Sequence, residues 1–323
     1  MITMKKLEEI WLENDYIKVS FLNFGARIYK IYTKDKFGTF ENILLSLDRD
    51  YIIDDFAYFG ASIGRVAGRI SKLNDYDFTD LVYDEQGINT HSGKDSWAEQ
   101  FWTYTKRDDS LEFYLRDQSK QYQGELTVCI KYELQEKQLI MTTSAKSPTD
   151  TFLNPTNHAY FNLSGNARES IYKHYLQVNS SKVLELDTLK LPTGKTLSVE
   201  NTPLDFRKEK KLATSLEKLP AGIDDYFILD HKDLNINQLK LIDFDSGRKM
   251  TIKTNRAGFV LFSSSNFNAD FCVNQGQKMK SQLGLAIEAQ EEPDAPNHKK
   301  FTDIGLKTNE IKTFTTIYEF DTI

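Results

Sequence analysis

The segment Leu126-Thr127-Val128-Cys129-Ile130-Lys131-Tyr132 carries Leu, Val, Ile and Tyr at every second position. Successive side chains of a β-strand point to opposite faces of a sheet, so this period of two predicts a strand with one buried face. The segment Thr313–Phe320 likewise differs in character between its odd and even positions. Both segments therefore predict strands in a sheet that is buried on one side.

Short runs of strand-forming residues recur along the whole chain of 323 residues, which includes 16 Tyr and 21 Phe. β-branched and aromatic side chains suit the pleated surface of a sheet. Further strands are predicted at Ile17–Leu22, Leu111–Leu115, Leu139–Thr143, Leu239–Phe244, Met250–Thr254 and Val260–Ser263. Helical periodicity is limited to one short candidate, Leu212–Leu219. The predicted fold class is all-β, a large antiparallel β-sandwich.

The sequence contains no internal repeat and no Pro-rich or Gly/Ser-rich linker. Its length is near the upper limit for one hydrophobic core. We therefore predict a single domain that spans residues 1–323.

Charge and hydropathy argue against several classes of partner. Lys and Arg number 41 against 47 Asp and Glu, which gives a net charge of −6 and a pI near 5.5. Without a basic stripe, nucleic acid is not an expected partner. No segment reaches the roughly 20 apolar residues of a membrane helix. A membrane partner is therefore not expected either. Residues 1–14 also lack the apolar stretch of a signal peptide.

The two cysteines, Cys129 and Cys272, lie far apart and belong to no Cys-x-x-Cys pair. A disulfide scaffold needs more cysteines, so both are expected to be buried thiols in a reducing compartment. The expected location is the cytoplasm.

His158 lies between an Asn-Pro turn and two aromatic residues, in the segment Asn154-Pro155-Thr156-Asn157-His158-Ala159-Tyr160-Phe161. An imidazole in a partly desolvated pocket is suited to general acid or base catalysis. A structural histidine that donates to a backbone carbonyl is the alternative, and the local sequence does not separate the two.

His91 lies in a loop of small residues before Trp97 and Trp102. Such a loop allows a ligand to approach closely, and an indole offers a flat apolar wall for a sugar ring. The alternative is an exposed histidine beside tryptophans of the core. The remaining histidines, in charged surroundings, are expected to be solvated: His174, His231 and His298.

Glu288 follows the apolar run Leu283–Ile287. A carboxylate on a buried strand is desolvated, which raises its pKa and makes it a stronger base. The alternative is that Glu288 emerges at the strand end beside Glu291 and Glu292.

Two pairs of charged residues are candidates for binding substrate hydroxyls. Asp224 and Asp225 follow a Pro-Ala-Gly-Ile turn, where acidic residues also serve as backbone caps. Arg65 and Arg69 frame a glycine-containing segment, and an Arg fork can bind vicinal hydroxyls, although surface ion pairing is the commoner role of arginine.

Several motifs are absent from the sequence: GxGxxG, the P-loop, HExxH and GxSxG. The cysteines and histidines also lack the spacing of a structural zinc site. We therefore expect acid–base chemistry by side chains alone, with no metal and no cofactor.

The order of these motifs along the chain resembles that of the galactose mutarotases, the aldose 1-epimerase family, over nearly the whole sequence. The two most specific blocks are Asn157-His158-Ala159-Tyr160-Phe161-Asn162-Leu163 and Ile287-Glu288-Ala289-Gln290 with Pro293-Asp294-Ala295. The other matching blocks are Gly64–Ile70, Thr90–Gly93 with Trp97, Leu191–Gly194, Pro203–Arg207 and Gly222–Asp224. The family fold is a large antiparallel β-sandwich, in agreement with the predicted strands.

The resemblance implies an aldose 1-epimerase that interconverts the α and β anomers of free aldohexoses such as galactose and glucose. It implies that Glu288 is the base that removes the proton of the C1 hydroxyl. His158 is then the acid that protonates the ring oxygen. Arg69, His91 and Asp224 match positions that bind the sugar. The implied partner is a small sugar, and monomer and homodimer remain open.

The chain departs from the family pattern at three places. Gly68 stands where the family usually has Asn, and Ser92-Gly93 follows His91 in place of two glycines. Val260 stands near the position of a glutamine that contacts the sugar in some relatives. These differences leave the preferred sugar open rather than the reaction.

Three other functions are alternatives to this one. A glycoside hydrolase would use Glu288 and Asp224 as paired carboxylates. A hexose-6-phosphate 1-epimerase shares the fold, but the sequence offers no extra arginine cluster. A non-catalytic sugar-binding protein would keep the Trp and Arg contacts and tolerate the loss of Glu288.

Overall fold

A computed structural model of the chain describes residues 6–73, 80–267, 271–274 and 276–323. Within these ranges β-strands are the predominant regular structure. The strands are β1 (Glu9–Glu13), β2 (Ile17–Leu22), β3 (Arg27–Lys34), β4 (Phe40–Asn42), β5 (Ser62–Ile63), β6 (Arg69–Ser71), β7 (Ile88–Thr90), β8 (Thr103–Lys106), β9 (Ser110–Asp117), β10 (Leu126–Gln135), β11 (Gln138–Lys146), β12 (Thr151–Phe152), β13 (Thr156–Asn157), β14 (Tyr160–Phe161), β15 (Tyr175–Val178), β16 (Lys182–Leu186), β17 (Pro192–Ser198), β18 (Lys210–Lys211), β19 (Asp224–Ile228), β20 (Leu239–Asp243), β21 (Arg248–Thr254), β22 (Gly258–Phe262), β23 (Cys272–Val273), β24 (Gln277–Lys278), β25 (Leu285–Gln290), β26 (Gly305–Leu306) and β27 (Ile311–Thr322). The predicted strand segments are all confirmed, with bounds that differ by a few residues.

Helical structure in the described part of the chain is limited to short pieces. Helix α1 spans Leu212–Leu216, so it is shorter than the predicted Leu212–Leu219. Pro220 follows closely, and a residue before proline disfavours the helical conformation. Single 3-10 turns occur at Arg49–Tyr51, Trp97–Glu99, Ile171–Lys173 and Ala295–Asn297. None of the helices in the described ranges has the length and apolar character needed to cross a membrane.

Three antiparallel sheets form the body of the fold. The largest has nine strands in the order β18-β15-β20-β21-β27-β11-β10-β9-β8. A six-stranded sheet has the order β14-β25-β22-β19-β16-β17, and a four-stranded sheet has the order β1-β2-β3-β4. Short two-stranded pairs complete the connections: β12-β26, β13-β5, β23-β24 and β6-β7. This arrangement confirms the predicted antiparallel β-sandwich.

The alternating segment at the centre of the nine-stranded sheet behaves as its sequence predicts. Val128, Ile130 and Tyr132 of β10 are completely buried, whereas Lys131 is only half-buried. Their partners on β11 are set by the antiparallel register, which pairs Ile130 with Thr143. One face of β10 therefore belongs to the core and the other borders solvent.

One hydrophobic core joins all three large sheets. It contains Phe21 of the four-stranded sheet, Ile130 of the nine-stranded sheet, and Leu285 and Ile287 of the six-stranded sheet. Full burial of such side chains contributes about 1.5–3 kcal/mol each. Because β25 faces this core with its odd-numbered residues, its even-numbered residues point to the opposite side of the sheet. Glu288 lies on that opposite side.

Three expectations about individual residues were wrong. His174 is buried, not solvated, because its Nε2 atom accepts a hydrogen bond of 2.8 Å from the Leu163 backbone N–H. Cys129 is only half-buried, because it lies on the face of β10 opposite to Val128. Cys272 is exposed in the short strand β23.

Arg65 is a buried structural residue, with neither of the roles considered for it in the sequence. Its Nε atom donates to Asp117 Oδ2 at 2.9 Å, and its other nitrogens donate to Thr151 and to backbone carbonyls. Trp97 Nε1 donates to the same Asp117 oxygen at 2.8 Å. A single carboxylate therefore holds a buried guanidinium and a buried indole together.

We expect Asp117→Asn to lower the free energy of unfolding by about 3 kcal/mol, because it leaves the buried Arg65 charge without its counter-ion. Urea unfolding measures the loss. The matched control is Glu125→Gln, since Glu125 forms an exposed ion pair with Arg116 at 3.9 Å. The control should cost less than about 1 kcal/mol. Equal losses in the two variants would contradict this account of the Arg65 pair.

Candidate active site

Three residues from distant parts of the chain meet at one point. One donor atom each of His91, His158 and Glu288 lies within 4.8 Å of the others. His158 Nε2 is 3.3 Å from Glu288 Oε1, and the two imidazole rings are 5.4 Å apart between centroids. His158 and Glu288 are almost fully buried, and His91 is partly exposed.

Glu288 lies on β25, the second strand of the six-stranded sheet. Strand β25 pairs with β14 on one side and with β22 on the other, and Val260 of β22 lies directly opposite Glu288 in the register. The carboxyl group is therefore fixed by sheet hydrogen bonds and has an apolar cross-strand neighbour. The alternative of a solvated glutamate at a strand end is wrong.

His158 is fixed through its backbone to the segment before β5. Its N–H donates to the Ala61 carbonyl at 2.8 Å, and its carbonyl accepts from the Gly60 N–H at 3.0 Å. Directly before it, β13 pairs with β5. The imidazole is therefore attached to a backbone that is fixed by hydrogen bonds, and its Nε2 atom points towards Glu288.

His91 is fixed by a reciprocal contact with Gly68. The His91 N–H donates to the Gly68 carbonyl at 2.9 Å, and the Gly68 N–H donates to His91 Nδ1 at 3.2 Å. Since Nδ1 accepts a hydrogen bond, a neutral His91 carries its proton on Nε2. His91 is thereby prepared to donate a hydrogen bond to a ligand.

Arg69 and Asp224 lie together at the partly exposed side of the site. Arg69 follows Gly68 directly in the chain, and its guanidinium is 3.6 Å from the Asp224 carboxylate. Both side chains keep part of their surface exposed. All five residues predicted for the site are therefore part of one neighbourhood.

The pKa values of the buried pair are shifted in opposite directions. Burial, with a smaller contribution from the negative charge of Asp224, raises the pKa of Glu288 to about 8. Burial lowers the pKa of His158 to about 4, assisted by the positive charge of Arg27. Between these two values the pair holds one proton, so it offers one acid and one base at neutral pH.

The pKa of His91 is also lowered, mainly by burial and then by the neighbouring His158 and Arg69. His91 is therefore neutral at pH 7. The three donor atoms have a spacing that could hold a metal ion. However, the hydrogen bond from the Gly68 N–H to Nδ1 leaves Nε2 of His91 protonated. A protonated ring nitrogen donates hydrogen bonds and does not bind a metal ion. The donor set therefore favours proton transfer over metal binding.

Tyr58 belongs to this site and was missed in the sequence. Its ring centroid lies 5.0 Å from that of His91 and 6.0 Å from that of His158. Its backbone has the left-handed φ of 58°, which is uncommon for a tyrosine. In a chain with so many aromatic residues, no local signal marks this one.

The tryptophans proposed as a wall for a sugar ring do not form one. Trp97 is completely buried and Trp102 nearly so, and both rings belong to the hydrophobic core. The alternative is right that the tryptophans belong to the core, but its exposed histidine is wrong, because His91 is only partly exposed.

The fold and the site together define a class of protein. An all-β sandwich holds a buried carboxyl–imidazole pair with one shared proton, next to an arginine and an aspartate suited to hydroxyl groups. This is the arrangement of an enzyme that moves protons on a small polar substrate.

Comparison with known proteins identifies the family. A family model described as aldose 1-epimerase matches residues 8–319. An aldose 1-epimerase of Streptococcus thermophilus is 35% identical over 91% of this chain and 88% of that protein. A galactose mutarotase of Bos taurus is 28% identical over 97% of this chain and 94% of that protein. The crystal structure of galactose 1-epimerase from Lactobacillus acidophilus NCFM is similar with a TM-score of 0.85 and 28% identity, covering 100% of this chain and 96% of that one.

The chain belongs to the aldose 1-epimerase family. It is accordingly an isomerase, as expected from the order of its motifs.

The raised pKa of Glu288 predicts a pH-dependent stability. In the folded protein Glu288 keeps its proton up to about pH 8, whereas the unfolded chain releases it near the ordinary carboxyl pKa of 4.5, so this group lowers stability progressively across that window. Glu288→Gln removes this titration. We expect the Tm difference, variant minus wild type, to increase as the pH is raised from about 5 to about 8.5.

Thermal unfolding at several pH values measures this difference. Glu217→Gln is the matched control, because Glu217 is exposed at the end of helix α1. The Tm difference of the control should not vary with pH. A Glu288→Gln difference that is equally flat would contradict the raised pKa.

Proposed function

We propose that this protein is an aldose 1-epimerase that interconverts the α and β anomers of free aldohexoses such as galactose and glucose. The single observation that carries the proposal is the buried Glu288–His158 pair, with its atoms 3.3 Å apart and its pKa values near 8 and 4. The names of the relatives, aldose 1-epimerase and galactose mutarotase, support the same substrate class.

In the proposed reaction, Glu288 removes the proton of the C1 hydroxyl. The C1–O1 bond becomes a carbonyl while the bond between C1 and the ring oxygen breaks, and His158 gives a proton to that oxygen. The open sugar rotates about C1–C2, and closure on the other carbonyl face returns both protons with the roles reversed. No proton is gained or lost overall.

The proton of the free enzyme lies on Glu288, since this group has the higher pKa of the two. A sugar hydroxyl that donates to the carboxylate favours its ionised form. The proton then moves across the short gap to His158, which prepares the base and the acid for ring opening. Each placed acid or base contributes roughly 10²–10⁴-fold to the rate.

The other predicted residues position the sugar. Arg69 donates hydrogen bonds to substrate hydroxyls, and Asp224 accepts hydrogen bonds from them. These bonds partly replace the ion pair of 3.6 Å between Arg69 and Asp224. His91 donates from Nε2, the nitrogen left protonated by its bond with Gly68. Holding the sugar in one orientation supplies the positioning that a two-group mechanism needs.

A phosphorylated sugar is the second candidate substrate. Lys190 Nζ lies 3.4 Å from the Asp224 carbonyl oxygen, so a cation besides Arg69 is present at the partly exposed side of the site. The neighbouring carboxylates of Asp224 and Asp225 oppose an incoming phosphate. We therefore place the free sugar first.

The remaining expectations stay proposals. These are a cytoplasmic location, a monomer or homodimer, a single domain and no nucleic-acid partner. The negative net charge of −6 supports the last of them.

Polarimetry of freshly dissolved α-D-galactose and α-D-glucose tests the activity. We expect the wild type to speed the decay to the equilibrium rotation and Glu288→Gln to lose at least about 100-fold in kcat, because its base is gone. Glu217→Gln should keep the full rate. If the wild type accelerates the anomerisation of glucose 6-phosphate but of neither free sugar, the substrate is the phosphorylated sugar.

The pKa values of the pair predict a bell-shaped dependence of the rate on pH in the free enzyme. Below about pH 4 both groups hold a proton and no base remains, and above about pH 8 both have lost it and no acid remains. We expect kcat/KM to fall on both sides of this window. Polarimetry across buffered pH values, corrected for the uncatalysed rate, measures the profile. A rate that stays constant well above pH 8 would argue against a shared proton.

A further inference from the structure

Gln290 is a buried amide without a protein partner. Its residue surface is completely buried, yet neither Oε1 nor Nε2 has a hydrogen bond to any residue in the described ranges. Buried amides are normally paired, because an unpaired donor or acceptor loses its hydrogen bonds to water without replacement. The side chain therefore has hydrogen-bonding capacity that the described residues leave unused.

The position of Gln290 places this amide at the candidate active site. Gln290 follows Glu288 by two residues on β25, so both side chains point to the same face of the six-stranded sheet. A Cβ atom added to Gly68 would lie 3.1 Å from Gln290 Nε2. Gly68 itself donates to His91. The amide is thus bordered by the residues that surround the reacting pair.

Glycine at position 68 brings no side chain to the amide of Gln290. Gly68 has a left-handed φ of 76°, a conformation that asparagine also tolerates. A side chain at this position would begin 3.1 Å from Gln290 Nε2. In this chain the glycine offers no side-chain partner, and both amide atoms of Gln290 are buried without a hydrogen bond to the described residues.

We infer that Gln290 is a further substrate-binding residue, whose amide exchanges hydrogen bonds with one hydroxyl group of the sugar. A hydroxyl is both donor and acceptor, which matches the Nε2 hydrogens and the Oε1 oxygen of the amide. This inference rests on the proposed function, since it assumes a sugar beside Glu288. It makes Gln290 a specificity determinant, because a sugar without that hydroxyl leaves a buried amide unpaired.

The test compares wild type with Gln290→Met, which keeps the length of the side chain and removes its amide. The substrates are galactose and its 2-, 3-, 4- and 6-deoxy analogues. For galactose we expect kcat/KM to fall about tenfold or more, the usual effect of one lost hydrogen bond to a substrate. For the one analogue that lacks the bound hydroxyl, wild type and variant should have equal kcat/KM.

Stability separates binding from a structural role. Removal of an unpaired buried amide should leave the Tm unchanged or raise it. The matched control is Gln238→Leu, because Gln238 is equally buried but its amide donates to three carbonyls and accepts from the Thr254 N–H. The control should lower the Tm and affect every sugar equally.

A uniform loss over all five sugars, or a Tm that falls as it does in the control, would overturn the role of Gln290. If Gln290→Met fails to fold, Gln290→Ala gives the same comparison, and failure of both variants to fold would itself show a structural role. A wild type that accelerates none of the sugars would defeat the proposed function instead. The two failures are therefore distinguishable.

Discussion

The structure depends on one unfavourable placement, a carboxyl group in the interior of a β-sheet. Glu288 is held there by the hydrogen bonds of β25 to β14 and β22, and its odd-numbered neighbours are anchored in the core. Burial of a carboxylate costs several kcal/mol unless it is paired or protonated. The sandwich meets this cost by keeping the group protonated and placing His158 beside it. The same cost is what makes the carboxyl a strong base when it ionises.

The rest of the site follows from the segments that surround this group. The backbone at Gly60 and Ala61 holds His158, while the contact between Gly68 and His91 joins β6 and β7 at the other side. The polar side chains of the site lie on or next to strands of two to six residues, and none lies on the long strands of the nine-stranded sheet. The six-stranded sheet itself carries Glu288 and Asp224, whereas His91 and His158 come directly after the short strands β7 and β13.

The fold was predictable because alternation along a strand is a local signal. In segments such as Leu126–Tyr132, the alternation of apolar and polar residues alone indicates which side chains are buried. The pair Glu288–His158 was found only through the specific blocks of the family resemblance, since each residue alone allows a structural interpretation. Tyr58 and His174 could not be found in this way, because their environments are created by residues far away in the chain. The same is true of the unpaired amide of Gln290.

The chemical pair joins segments that lie more than a hundred residues apart, and this has a consequence for folding. Long-range antiparallel pairings form slowly, because a large chain loop must close before any contact compensates for the lost entropy. Strand β14, directly after His158, pairs with β25, which carries Glu288, so the two side chains meet through this long-range pairing. Recovery of enzymatic activity after dilution from denaturant would therefore require this pairing, which local hairpins such as β10–β11 do not.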